Sequence, residues 1–268
     1  MSVYQESLPK DIEPFRQLLK SYSNIPNDEI DDHLHKIRDE AWAVANFPCV
    51  GMWSFTDLDF FQDPIFDSII ARLKSAESKD AFLDVACGLG QVLRKLAADA
   101  IDPAKLYGTD ILGTYLELGF ELFRDRDRFP SGHFTPADLL QSGGDGGLGA
   151  LEGKMTLIHA SNFFHLFDWD EQVRIGRNLV RLMQPGASDR VIFGRHIGRR
   201  HAGTMVSARS GGTRYLHDLD SFQKLWDEIG LATGTSWIAD AQWVGDLPFK
   251  IPGFPEDTLY MKFVIKEQ

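Results

Sequence analysis

Residues 82–99, "FLDVACGLGQVLRKLAAD", decide the fold. The apolar run "AFLDVAC" has the length of a buried strand, and "QVLRKLAADA" has helical spacing. Between them Gly88 and Gly90 make a turn. A chain turns on glycines in this way where its backbone must come close to a ligand. In an open α/β sheet, ligands gather beyond the carboxyl ends of the strands. This turn occupies such a place.

The pattern continues outward from there. "KLYGTDI" reads as a second strand and "TYLELGFELFRDRDRF" as a second helix. "GHFTPAD" is a third strand and "GKMTLIHASN" a fourth. "WDEQVRIGRNLVRLMQPG" is a helix with Val173, Gly176, Val180 and Met183 on one face, stopping at Pro185-Gly186. "RVIFGR" is a fifth strand, after which "GRHIGRRH" is expected to leave the sheet. "LDSFQKLWDEIG" is a helix with Asp220 as its N-cap, Gln223 three residues on and Gly230 past its end. "TSWIADAQWV" and "TLYMKFVIK" close the chain as strands suited to antiparallel pairing. Alternating strands and helices imply an α/β protein whose mostly parallel sheet is covered on both faces.

Upstream, residues 11–46 space their apolar positions at three and four, as helices do. Asp63 precedes Pro64 as the N-cap of another helix. The expected organisation is an N-terminal helical cap over residues 1–78 and a main domain over 79–268. Residues 141–153 hold five glycines within seven positions and lack the Lys-Ser/Thr ending of a phosphate loop, so they read as a flexible surface loop.

Composition narrows the class. The 268 residues are 43% hydrophobic, enough for a full core. No apolar run approaches the roughly 20 residues of a membrane span. The start, "MSVYQESLPKDIEPF", lacks the basic-then-apolar order of a signal peptide. Cys49 and Cys87 give neither a disulfide framework nor a metal cluster. A cytoplasmic protein without a bound metal is expected. The net charge of −11 argues against a nucleic-acid partner. Residues 194–217 depart from that balance, with five Arg, three His and no acid. Such a segment suits an anionic ligand or a solvated loop.

The turn itself discriminates between ligands. A dinucleotide fingerprint needs a third glycine where Leu93 stands. Asp84, four residues before Gly88, suits a cationic ligand better than a pyrophosphate. S-adenosylmethionine carries an ammonium, a sulfonium, a ribose and an adenine, and no phosphate. Asp110, at the end of the second strand, can accept from both ribose hydroxyls. Asp138, at the end of the third, can accept from the adenine amino group, with Leu139 and Ile111 packing on the ring. Cys87 reads as a small packing residue.

The phrases "LDVACGLGQ", "LYGTDI", "PADLL", "IHASNFFHLFDWDEQ" and "LMQPG" resemble a class I S-adenosylmethionine-dependent methyltransferase. More narrowly, "LGFELFRDRDRF", "SNFFHLFDWDEQ" and "RYLHDLDSFQKLWDEIG" resemble methyltransferases of fungal meroterpenoid and polyketide biosynthesis. The resemblance implies a Rossmann-like, seven-stranded fold and methylation of a small-molecule oxygen, notably a terpenoid-polyketide carboxylate. A homodimer is a candidate assembly, and no membrane partner is expected.

Methyl transfer is an in-line displacement, so the protein must align the nucleophile and exclude water. A carboxylate is already ionised at neutral pH, whereas a phenol benefits from a base. Ser161 should lie near the methionine moiety. Phe164 and Phe167, with Phe163, could line an apolar pocket, and His165 is a base candidate. His196 is the alternative base, and Arg195 could bind an anionic substrate group through its planar fork. Trp53, with Trp42, Phe47 and Phe55, could add apolar wall to the substrate pocket, and Tyr4 a lid contact. A cyclase or isomerase that binds S-adenosylmethionine without transferring the methyl is the remaining alternative.

Overall fold

The computed structural model describes residues 3–141, 147–207, 211–247 and 253–268. The chain divides into two compact units, Met1–Ala137 and Asp138–Gln268. Among the described residues, no helix is long and apolar enough to cross a membrane.

The first unit begins with helices α1 (Glu13–Ser21), α2 (Ile30–Val44), the single turn α3 (Pro48–Gly51) and α4 (Pro64–Lys74). Pro64 opens α4, and the Asp63 side chain caps it by accepting from the N–H of Ile65. Strand β1 (Phe82–Val85), helix α5 (Gln91–Ala98), β2 (Leu106–Asp110), α6 (Gly113–Phe123) and β3 (Phe134–Pro136) follow. β1 and β2 pair in parallel, as do β2 and β3. All four residues of β1 are buried, as expected of a strand covered on both faces.

The N-terminal helices share one apolar core with α6 and the glycine turn. Phe15, Leu19, Ile30, Leu34, Ile37 and Ala41 pack with Leu89, Tyr115, Leu118 and Phe123. Two hydrogen bonds reinforce this packing. The Tyr115 hydroxyl donates to the Ala45 carbonyl at 2.9 Å, and the His33 ring meets the Leu122 carbonyl at 3.0 Å.

Helix α6 lies hard against the turn, and Gly119 makes this approach possible. A Cβ there would stand 2.5 Å from the Leu89 carbonyl oxygen, a backbone atom that cannot step aside. We expect Gly119→Ala to cost about 1–3 kcal/mol as overpacking strain. A urea-unfolding midpoint equal to wild type would show that the helix has room to retreat.

The second unit contains β4 (Leu157–His159), α7 (Trp169–Leu182), β5 (Val191–Arg199), β6 (Gly203–Val206), β7 (Thr213–Leu216), α8 (Leu219–Thr233), β8 (Trp237–Asp246) and β9 (Thr258–Glu267). The mostly parallel sheet has seven strands, ordered β3-β2-β1 in the first unit and β4-β5-β9-β8 in the second. β4 and β5 are parallel, β9 runs antiparallel to β5 and β8, and β6 and β7 form a separate ribbon. α7 starts in a capping box between Asp168 and Glu171.

Three sequence expectations are corrected in this unit. α8 is capped by Asp218 rather than Asp220, because the Asp218 carboxylate accepts from the Ser221 N–H and the Ser221 hydroxyl answers the Asp218 N–H. It ends at Gly234, in the left-handed region, rather than at Gly230. β5 does not stop at Arg195 either. It pairs with β9 from Val191 through Arg199, which satisfies the backbone of the segment expected to leave the sheet.

Part of the Arg/His-rich segment and part of the glycine-rich loop fall outside the described residues, at 208–210 and 142–146.

Candidate active site

The glycine turn is built from backbone conformations that few side chains tolerate. Ala86, Gly88 and Gly90 all have positive φ, at 52°, 57° and 72°. Ala86 accepts strain of the order of 1–2 kcal/mol, of the kind stored at functional sites. Gly88 has no atom within 4 Å of where a Cβ would stand, so its backbone is open to a ligand. Gly90 is the N-cap of α5 and offers no capping side chain.

Asp110 ties the turn to β2. One carboxylate oxygen accepts from the Gly88 N–H at 3.0 Å, and the other from the Leu112 N–H at 2.9 Å. Each oxygen keeps a lone pair for a further donor, as two ribose hydroxyls would require. Burial raises the Asp110 pKa; the Leu112 and Gly88 N–H groups oppose that rise and the nearby Asp84 charge adds to it. Asp84 itself is only 3% exposed. A buried and a half-buried carboxylate at the ends of β1 and β2 favour a cationic ligand over an anionic one. Ile111 presents an unusually exposed apolar side chain, 63% accessible, next to them. Cys87 is buried, and burial together with the charges of Asp84 and Asp110 pushes its thiol well up, so it stays protonated.

These features fit S-adenosylmethionine: an open main-chain face, acids for the cationic end, a carboxylate fixed for the ribose and an apolar side chain for a ring. Trp53 is placed elsewhere. It lies 1% exposed in the core of the first unit, its indole N–H donating to the Gln5 carbonyl and its ring under the Arg38 guanidinium at 4.2 Å. The expectation that it lines a substrate pocket is corrected, since its polar edge and its ring face are both engaged. The Tyr4 hydroxyl donates to Asp39.

In the second unit, Asp138 accepts from the Leu140 N–H at 2.9 Å, so it caps its own turn. Leu139 is buried, and its carbonyl accepts from the Asn178 amide. Ser161 follows β4. Its hydroxyl lies 2.7 Å from the His159 ring and accepts from the Arg195 N–H at 3.2 Å. The Asn162 N–H continues onto the Arg195 carbonyl. Ser161 and Arg195 are thus neighbours, which the sequence placed in different segments. The Arg195 guanidinium lies 5.6 Å from the Tyr260 ring centre and is half-buried.

The aromatic and histidine residues lie deeper than expected. Phe164 is completely buried against Phe222, Trp226, Phe263 and His196, a core residue and not an open wall. Phe167 is half-buried and packs on Phe163 at 5.0 Å. His196 is 0% exposed, and among the described residues neither ring nitrogen has a hydrogen-bond partner. Burial holds it well below the ordinary histidine range, with His217 and His165 adding to the effect. Burial, with the Arg214 charge, lowers His165 to about 3. A base with so low a pKa removes protons poorly at neutral pH. Both base candidates are therefore corrected to neutral, buried imidazoles.

Sequence reasoning missed His217. Its Nε2 faces the Gln172 side-chain oxygen at 3.0 Å and its Nδ1 the Ser221 hydroxyl at 3.0 Å. The Gln172 amide nitrogen donates to the Phe167 and Tyr215 carbonyls, which turns its oxygen towards His217. Nε2 then carries the proton, and the Ser221 hydroxyl beside Nδ1 also lies within donating distance of the Asp218 carbonyl. Burial sets its pKa at about 3. Among the described residues, no group of His, Cys, Asp and Glu could hold a metal ion.

Comparison with known proteins shows the family and the fold. Residues 3–56 match the family model of the meroterpenoid methyltransferase N-terminal domain. The chain is 36% identical to O-methyltransferase phiE of a fungal species over 226 residues, 84% of this chain and 74% of that one. It is 38% identical to the asnovolin E/chermesin D methyltransferase nvfJ of Aspergillus novofumigatus over 225 residues, 83% and 78% of the two chains. Among solved structures, the O-methyltransferase from a trans-AT polyketide synthase multienzyme of Brevibacillus brevis, in complex with S-adenosyl-L-homocysteine, superposes with a TM-score of 0.51 at 14% identity, covering 78% of this chain and 77% of that one. At that identity the likeness establishes the fold.

Proposed function

This chain belongs to the fungal methyltransferase family that carries the meroterpenoid methyltransferase N-terminal domain, and on that premise we propose that it transfers a methyl group from S-adenosylmethionine to a carboxylate oxygen of a terpenoid or polyketide intermediate. The observation that carries the cofactor half is the Asp110 carboxylate, fixed by the Gly88 and Leu112 N–H groups beside the open face of Gly88. Asp84 and Asp110 favour the cationic end of the cofactor, Asp110 accepts from its ribose hydroxyls, and Ile111 packs on its adenine.

Bound there, S-adenosylmethionine supplies an activated methyl carbon whose bond to sulfur breaks as an acceptor oxygen attacks. The remaining work falls to the chain. A carboxylate needs no base, which agrees with the low basicity of His165 and His196. Arg195 is the group we assign to hold the acid, since its planar fork matches two carboxylate oxygens. Neutral His165 and His196 are buried in an apolar surround and are not assigned a proton-accepting role.

Calorimetric titration with S-adenosylmethionine tests the cofactor site. Wild type is expected to bind with a micromolar Kd. Asp110→Ala is expected to bind at least about 100-fold more weakly, the loss of about two charge-assisted hydrogen bonds. Equal affinity in the two proteins would remove Asp110 from the site. Product analysis then tests the acceptor. A methyl ester from a terpenoid or polyketide acid supports the proposal, whereas methylation of phenols alone refutes it.

A further inference from the structure

Three features lie outside this function: the buried histidines of the second unit, the Arg199–His201–Asp257 cluster and the buried ion pair beside the glycine turn. The third carries furthest. Arg94 and Asp125 are both 0% exposed. Arg94 Nε donates to one Asp125 oxygen at 2.9 Å and Nη2 to the other at 3.2 Å. The Tyr22 hydroxyl also donates to Asp125, at 2.9 Å. The guanidinium lies over the rings of Phe134, Phe120, Phe123 and Phe129, at 4.2 to 5.2 Å from their centres.

Stability alone does not account for this arrangement. Withdrawing two charges from water is expensive, and replacing such a pair by apolar residues of similar volume is often neutral or stabilising. The pair does reach the turn. Arg94 Nη1 lies 3.4 Å from the Leu89 carbonyl and 3.5 Å from the Gly90 carbonyl. A Cβ on Gly90 would stand 2.2 Å from that same nitrogen. The guanidinium therefore fills the space behind Gly90 and faces the carbonyls of the two peptide groups that flank its Cα. Its orientation is set by Asp125, and that of Asp125 by Tyr22, which follows α1 in the N-terminal segment.

We propose that Tyr22, Asp125 and Arg94 are positioning residues for cofactor binding: they hold the Leu89 and Gly90 carbonyls so that the glycine turn is preformed for S-adenosylmethionine. The N-terminal segment thereby contributes to cofactor affinity without touching the cofactor. This rests on the assignment of the turn as the cofactor site.

The test is the triple variant Tyr22→Phe/Arg94→Met/Asp125→Leu, which replaces the polar set with apolar groups and strands no charge. Circular dichroism and thermal melting report its fold, and calorimetry its affinity for S-adenosylmethionine. The expected result is a near-wild-type Tm with a Kd raised roughly tenfold or more, through lost preorganisation. At saturating cofactor, kcat is expected to stay within about twofold of wild type while KM for the cofactor rises. A folded triple variant with wild-type Kd overturns the proposal. Should the triple variant not fold, Tyr22→Phe alone decides, because it leaves the ion pair in place and removes one hydroxyl. A Kd raised about threefold supports the chain of contacts, and an unchanged Kd overturns it. Failure of wild type to bind S-adenosylmethionine would instead refute the cofactor assignment itself.

Discussion

Between pH 7 and pH 5 the second unit is expected to lose about 4 kcal/mol of stability, about 2 kcal/mol for each of His165 and His217, with buried His196 acting in the same direction. His165 and His217 are lowered to about 3, and His196 lies well below its ordinary value of 6.5. A folded-state pKa below the unfolded one means that the unfolded chain takes up protons first. Above about pH 6.5 neither state is protonated, and these residues confer no pH dependence. As the pH falls through that value, the unfolded state gains protons that the folded state refuses, and stability drops until the folded pKa is reached. The surrounding groups do not reverse this. Arg214 lowers His165 further, and Asp218 opposes burial at His217 without overcoming it. Urea titrations at pH 7, 6 and 5 should show the midpoint falling at each step. A constant midpoint would mean that the histidines are protonated in the folded state.

Asp125→Ala is expected to destabilise the first unit by about 3–5 kcal/mol, far more than a surface charge deletion. Arg94 would remain fully buried with its positive charge unmatched. The four phenylalanine rings around it attract a cation, but they supply no hydrogen-bond acceptor for Nε and Nη2. The Tyr22 hydroxyl would lose its acceptor as well. The contrast with the apolar triple variant is the sharper test. One side chain removed should cost more than three replaced, because only the single variant leaves a buried charge uncompensated. A loss under about 1 kcal/mol in Asp125→Ala would show that water or another acid reaches Arg94.

The sequence made the order of strands and helices legible because apolar periodicity and glycine placement are local signals. Asp63 could be read as a cap from Pro64 beside it, and Asp110 as a strand-end acid from "LYGTD" alone. What escaped depends on partners far along the chain. Arg94 looks like an ordinary solvated cation in "QVLRKLAA", and Asp125 looks like part of a charge run in "RDRDRF". Their pairing, 31 residues apart, is visible only in the fold. The extension of β5 through Arg199 was hidden for the same reason, since β9 supplies the pairing from Thr258 onward. That pairing carries His196 into the core, so a residue read as facing substrate has no hydrogen-bond partner there among the described residues. His217 gave no signal of its own in "RYLHDLD", because its partner Gln172 lies 45 residues away.

The crowding around Gly90 has an evolutionary reading. Its missing Cβ would overlap Arg94, Arg94 is oriented by Asp125, and Asp125 by Tyr22. Gly119 abuts the same turn through the Leu89 carbonyl. These five positions are not free to drift one at a time. An alanine at Gly90 is strained by its left-handed φ of 72° and also requires that Arg94 be shortened, a change that leaves Asp125 an unmatched anion. Lineages that depart from this pattern must cross an epistatic barrier. Substitutions at Gly90, Arg94 and Asp125 should therefore enter together.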